Sequence, residues 1–217
     1  MAHSINKSHY NMIEQQVRPS NVLDQRVLAA LSAISRADFV NEELALLAYS
    51  DTELPIGYNQ SMLSPVLEGR LLQALNVQDD EQVLELGTGT GYFTALLAQL
   101  AHDVISVELI PELAKQAKQN LAGIDNVELC VGDASQGWNL ANRIDVIIAT
   151  AAFTTVPDEY KHSLKVGGRM LAIEGPAPAM SVQLIHRTGE REWEIETVFE
   201  TVISPMINAE PKPEFEF

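Results

Sequence analysis

From Gln82 onward, short runs of apolar residues alternate with longer stretches in which apolar residues return every three or four positions. The runs Val83 to Leu86, Asp103 to Glu108, Asn126 to Val131 and Ile144 to Ala149 predict strands, and the periodic stretches Tyr92 to Leu100 and Pro111 to Leu121 predict helices between the first three. Pro111 suits the first turn of its helix, and Gly123 follows the end of it. The unbroken apolar character of Ile144 to Ala149 is that of a strand covered on both faces. Strand, helix, strand, helix, strand, strand is the order of an open, mainly parallel sheet.

The flanks read differently. Before Gln82, Tyr10 to Val17 is a helical segment ending before Pro19, and Asp24 can cap a second helix in which Val27, Leu28, Leu31 and Ile34 share a face. Asp51 to Ser61 has the composition of a loop, and Pro65 opens a helix through Leu67, Leu71, Leu72 and Leu75 that stops near Asn76. After the fourth strand, Pro157 to Leu164 predicts a helix, Gly167-Gly168 a turn and Arg169 to Ile173 a fifth strand. Val182 to Arg187, a Thr188-Gly189 turn and Trp193 to Val202 predict a hairpin closing one edge of the sheet. Residues 211–217 read as a loose tail. The 217 residues then form one domain, with a helical region over 1–75 and an α/β core over 82–207.

Charge narrows the partners. Thirty acidic residues against fourteen Lys and Arg leave a net charge of −16, and no basic tract offsets it, which argues against nucleic acid. The single cysteine, Cys130, leaves no internal disulfide, and no apolar stretch is long enough to cross a membrane. A cytoplasmic protein is the expectation.

The sharpest local signal is Glu85-Leu86-Gly87-Thr88-Gly89-Thr90-Gly91-Tyr92. Gly87 and Gly89 permit a tight turn and a close backbone approach to a ligand, and Gly91 permits close packing where the next helix begins. Glu108, at the tip of the next strand, is placed to accept hydrogen bonds from the two hydroxyls of a ribose. At the end of the third strand, Asp133 can accept an adenine amino hydrogen while Ala134 offers a backbone N–H. The candidate cofactor-binding residues are therefore Glu85, Gly87, Thr88, Gly89, Gly91, Glu108, Asp133 and Ala134.

The chemistry follows from what this loop is not. Its alternating glycines depart from Gly-x-Gly-x-x-Gly, and the Lys-Ser/Thr of a Walker loop is missing. A sulfonium-bound methyl group is already activated, so its transfer asks chiefly for alignment in a dry pocket, with no metal and no covalent intermediate. The sequence supplies no metal-ligand spacing, and His102, His162 and His186 are scattered.

Several further motifs are more specific than the glycine loop. Glu14-Gln15-Gln16-Val17-Arg18, Asp24 to Leu28, Ala48-Tyr49-Ser50-Asp51, Leu54-Pro55-Ile56-Gly57, Gly132 to Trp138, Thr150-Ala151-Ala152 and Gly167-Gly168-Arg169 together resemble the protein-L-isoaspartate O-methyltransferases over nearly the whole chain. The resemblance implies a Rossmann-like three-layer α/β sandwich with a seven-stranded, mostly parallel sheet. It also implies S-adenosyl-L-methionine as donor, an isoaspartyl carboxylate in a peptide or damaged protein as acceptor, and residues before Pro65 covering the acceptor site. Where the family shows Gly-Gln-Thr-Ile-Ser before one residue and a proline, this chain has Asn59-Gln60-Ser61-Met62-Leu63-Ser64-Pro65. Ser61 stands for the Thr and Leu63 for the functional Ser, and an aliphatic side chain donates no hydrogen bond. Ala134 replaces a family Gly, and Val202 an Arg.

Ser61, Ser64 and Thr150 are the candidate catalytic residues, Ser64 as a replacement hydroxyl one position after Leu63. Two alternatives stay open: a methyltransferase on the same scaffold acting on another small molecule or peptide, and a noncatalytic protein that binds the donor.

Overall fold

The computed structural model describes residues 2–209, so the tail expected over 211–217 lies outside the described residues. In chain order the elements are α1 (Ala2–Met12), α2 (Gln25–Ala33), β1 (Leu54–Gly57), β2 (Gln60–Met62), α3 (Pro65–Leu75), β3 (Gln82–Leu86), α4 (Tyr92–Ala98), β4 (Asp103–Glu108), α5 (Pro111–Asn120), β5 (Val127–Val131), β6 (Ile144–Ala149), α6 (Asp158–Ser163), β7 (Leu164–Glu174), β8 (Ser181–Gly189) and β9 (Glu192–Glu200). The main sheet has seven strands in the order β5-β4-β3-β6-β7-β8-β9. β5, β4, β3, β6 and β7 pair in parallel, and β8 and β9 add the antiparallel hairpin at the edge.

The period-two alternation of the strands feeds two apolar clusters. Val83, Val104, Val146, Ile148 and Leu171 join the first, with Leu31, Leu72, Leu75 and Leu96 from α2, α3 and α4. Leu84, Leu86, Val107, Ile147 and Met170 join the second, with Phe153 and Tyr160. Capping follows the sequence closely. Asp24 accepts from the backbone N–H groups of Arg26 and Val27 at the start of α2, and Asn76 ends α3 in the left-handed region at φ 49°.

Five expectations change. Asp51 to Ser61 is only partly a loop: β1 and β2 form a hairpin whose turn residues Tyr58 and Asn59 both have positive φ. That is the backbone of a tight two-residue hairpin turn, reached here without glycine at either central position. Gly167-Gly168 lies within β7 rather than in a turn before it. Gly167 has φ +86°, and the pairing moves from Ile144 with Leu164 to Val146 with Arg169, so the glycines accommodate a bulge. The β8–β9 turn falls at Glu190-Arg191, beyond Thr188-Gly189. The buried Arg187 sets it there by donating to the carbonyls of His162, Leu164, Gly189 and Glu190. Finally, Ile34 lies just past α2 in extended backbone, and Ile13–Val17 forms a π turn after α1.

Candidate functional site

From β3 the chain steps outward to β4 and β5, then returns to lay β6 on the other side of β3. Loops that leave neighbouring strands at such a reversal diverge and open a crevice beyond the carboxyl ends of the strands. A cavity opens there. Its walls are the turns after β3, β4, β5 and β6, together with residues of the β1–β2 hairpin, Glu68 of α3 and the Met206-Ile207 segment.

The turn after β3 is held by its backbone. Gly87 N–H donates to the Val107 carbonyl at 2.9 Å, Gly91 N–H to the Thr88 carbonyl at 3.0 Å, and Asn120 from the end of α5 to the Thr90 carbonyl at 2.9 Å. Gly87 sits at φ +102°, and a Cβ there would lie 2.6 Å from Thr150 Oγ1. Gly89 sits at φ +58°, with Ile56 Cδ1 3.1 Å from where its Cβ would be. Gly87 therefore has neither the conformation nor the space for a side chain, whereas at Gly89 a Cβ would press on the movable end of Ile56.

Glu108 ends β4 and is buried in the cavity wall. Its Oε2 accepts from Gly89 N–H at 2.7 Å and its Oε1 from Ile110 N–H at 2.9 Å, which fixes the carboxylate against the turn. Burial raises its pKa, and the N–H groups of Ile110 and Gly89 oppose the rise. Each oxygen retains a lone pair for a ligand hydroxyl. Asp133 accepts from Ser135 N–H at 2.9 Å and from Asn208 Nδ2 at 2.9 Å. Burial acts to raise its pKa, yet the hydrogen bonds from Ser135 and Asn208 outweigh it and hold the carboxyl below the usual range.

Of the residues singled out from sequence, Gly87, Thr88, Gly89, Glu108, Asp133, Ala134, Ser61 and Thr150 line this one cavity. Three others do not. Glu85 is fully buried and outside the cavity lining; its Oε2 accepts from Ser106 Oγ at 2.6 Å on β4 and from Thr94 Oγ1 on α4. Gly91 faces α5, where a Cβ would come within 3.1 Å of Leu121; it allows close helix packing. Ser64 is the residue preceding α3, off the cavity, while Leu63 takes the wall position. Thr150 Oγ1 is already committed, donating to the Gly87 carbonyl at 2.6 Å. Trp138 packs over Gly132, whose Cβ would lie 2.7 Å from the indole ring.

Sequence reasoning missed Glu68, Tyr92, Phe93, Met206 and Ile207, all of which line the cavity. Glu68 was detectable: it occupies the stripe of α3 shared with the buried Leu71, Leu72 and Leu75, where a charge is out of place. Met206 and Ile207 carry no such signal. They reach the cavity because Met206 N–H bonds to the Ala152 carbonyl at 2.7 Å, a pairing made far along the chain.

A switch-point crevice, a bare glycine turn and a buried acid at the neighbouring strand tip define a Rossmann-like methyltransferase. The chain belongs to the protein-L-isoaspartate(D-aspartate) O-methyltransferase family, whose model matches residues 7–210. A protein-L-isoaspartate O-methyltransferase of Methanoculleus marisnigri is 40% identical over 184 residues, covering 83% of this chain and 84% of its own. One from Myxococcus xanthus is 45% identical over 157 residues, covering 71% and 74%. In fold, the chain matches a Plasmodium falciparum protein assigned as a protein-L-isoaspartate O-methyltransferase and crystallised with S-adenosyl-L-homocysteine. The TM-score is 0.80 at 16% identity, over 91% of this chain and 97% of the other.

Proposed function

We propose that this protein transfers a methyl group from S-adenosyl-L-methionine to the free carboxylate of an isoaspartyl residue in a peptide or protein, giving a methyl ester and S-adenosyl-L-homocysteine. The observation that carries it is the cradle at Gly87 and Gly89, which a Cβ would fill, beside the carboxylate of Glu108. These residues fit an adenosyl donor: bare backbone for close approach, Glu108 for the ribose hydroxyls, and Asp133 with the Ala134 N–H for the base. When bound, the donor supplies a methyl group already activated on a sulfonium.

The acceptor needs no strong base, because a carboxylate is ionised at neutral pH. The chain's task is to align it and exclude water, using the Ser61 hydroxyl and the apolar side chains of Ile56, Met62, Leu63 and Met206 around it. The same proposal includes the three-layer sandwich, supported by apolar clusters on both faces of the sheet, and a role in protein repair in the cytoplasm. The test is incubation with isotopically labelled donor and isoaspartyl or matched aspartyl peptides. Labelled methyl ester should form on the isoaspartyl peptide alone; donor binding without ester on either would overturn the acceptor assignment.

Leu63 in the wall favours a second reading, an acceptor less polar than an isoaspartyl peptide. A panel of small carboxylic acids with the same labelled donor separates the two.

A further inference from the structure

The cavity wall contains a buried ion pair, beside Tyr92 at the start of α4, for which methyl transfer itself has no evident need. Glu68 lines the cavity at 1% exposure, and Arg36, fully buried behind it, donates Nη1 to Glu68 Oε2 and Nη2 to the Leu63 carbonyl. The Arg36 Cζ lies 5.1 Å from the centroid of the Tyr92 ring, and Arg36 Nε has no hydrogen-bond partner among the described residues. Two well-packed apolar residues would commonly be as stable as such a pair or more so, which makes its place in a substrate wall informative.

The charge on the cavity surface sharpens the point. Among the described residues lining it, none is Lys, Arg or His, whereas Glu68, Glu108 and Asp133 are acidic. An isoaspartyl acceptor brings another carboxylate into this wall. Arg36 stands behind it with its charge neutralised by Glu68.

Resting on the isoaspartyl reading above, we propose that Glu68 is a proton-linked specificity residue: as an acceptor carboxylate enters, Glu68 takes a proton from solvent, and the Arg36 charge it had neutralised balances the acceptor instead. One proton moves from the buffer acid to a Glu68 carboxylate oxygen, forming an O–H bond there and leaving the buffer's conjugate base; no bond of the acceptor changes. Arg36 acts through space as a positioning residue, without touching the acceptor.

The groups facing Glu68 agree with this role. They are Arg36, Asp51 from the segment before β1, whose carboxylate accepts from Val66 N–H at 3.1 Å, and Tyr92 at the start of α4. Burial pushes the Glu68 carboxyl up to about 7 against the pull of Arg36, with Asp51 adding to the rise. Proton uptake near neutral pH is therefore within reach. Above that value, acceptor binding should weaken by up to about tenfold per pH unit.

The test is calorimetry of an isoaspartyl peptide titrated into the full chain saturated with S-adenosyl-L-homocysteine, at pH 8, in buffers of different ionisation enthalpy. Wild type should take up close to one proton per peptide, and Glu68→Gln, with its S-adenosyl-L-homocysteine affinity retained, should take up none. Between pH 7 and pH 8, wild-type peptide affinity should fall by roughly fivefold while that of Glu68→Gln stays level. Peptide binding by wild type without proton uptake, or equal uptake by both proteins, overturns the proposal and leaves the isoaspartyl reading standing. Absence of peptide binding alongside normal S-adenosyl-L-homocysteine binding overturns both. The wild-type measurement decides even if the variant fails to fold.

Discussion

On one side of the cavity the wall is backbone: Gly87 and Gly89 in left-handed conformations, and a Glu108 carboxylate pinned by two N–H groups. Elsewhere the wall is side chains from distant parts of the chain, with Ser61 in β2, Leu63 just after it, Glu68 on α3 and Met206 beyond β9. A backbone cradle tolerates little change, because its shape is set by allowed φ values and by the absence of Cβ atoms. A side-chain wall can change chemistry residue by residue while its scaffold stays put. On the proposed reading, this difference lets the chain keep its donor cradle while its acceptor wall carries Leu63 where the family resemblance implies a Ser.

The largest expected effect falls on the donor side. Gly87→Ala places a Cβ 2.6 Å from Thr150 Oγ1 at φ +102°, and S-adenosyl-L-homocysteine binding should weaken by at least about 100-fold in calorimetry. A variant that binds within threefold of wild type would remove the cradle from the account. Glu108→Gln comes next. It keeps the shape but loses the charge that strengthens each hydrogen bond, so donor affinity should fall by roughly 10- to 100-fold.

Glu85 tests whether the donor turn is supported from beneath. Burial raises its carboxyl to about 8, against hydrogen bonds from Ser106 and Thr94. The folded state therefore holds a proton that the unfolded chain releases near 4.5. The stability this contributes is complete below the unfolded value, declines as pH rises, and is lost once pH passes through about 8. The melting temperature of wild type should drop between pH 6 and pH 9 by about 5 to 10 °C more than that of Glu85→Gln, whose amide does not titrate. Parallel pH profiles for the two proteins would show that Glu85 is not protonated in the fold.

On the acceptor side the effects are smaller. Leu63→Ser returns a hydroxyl to the wall. One added neutral hydrogen bond is worth about 1 kcal/mol, so kcat/KM for an isoaspartyl peptide should rise about fivefold. Donor affinity should stay within about twofold. A fall in kcat/KM would instead mark Leu63 as a packing residue fitted to a different acceptor.

How much was legible in the sequence follows the same division. Strand alternation, the Asp24 cap and the Pro65 start are local, and the structure contains them. The glycine turn and Glu108 were legible for the same reason, since a tight turn and the tip of the next strand are fixed by near neighbours. Glu85 falls outside the cavity lining because alternation sends it under α4, which adjacency to a glycine turn does not reveal. The β1–β2 hairpin was hidden by Pro55, Gly57 and a Tyr58 that takes positive φ without being glycine. Met206 depended on a pairing with Ala152 that no local pattern announces.

Ser64 gives the smallest effect and the finest test. A hydroxyl one position after Leu63 looks like a replacement donor, but the chain enters α3 at Pro65, and Ser64 lies at the preceding position, where its carbonyl accepts from Glu68 N–H at 2.9 Å. Its side chain makes no capping bond and is absent from the cavity wall. Ser64→Ala removes only that hydroxyl and leaves the carbonyl in place. Both kcat/KM on an isoaspartyl peptide and the melting temperature should remain near wild type, within about twofold and about 2 °C. A tenfold loss of kcat with unchanged donor affinity would mean that the start of α3 turns toward the acceptor during catalysis, and that the side-chain wall is less fixed than the backbone wall.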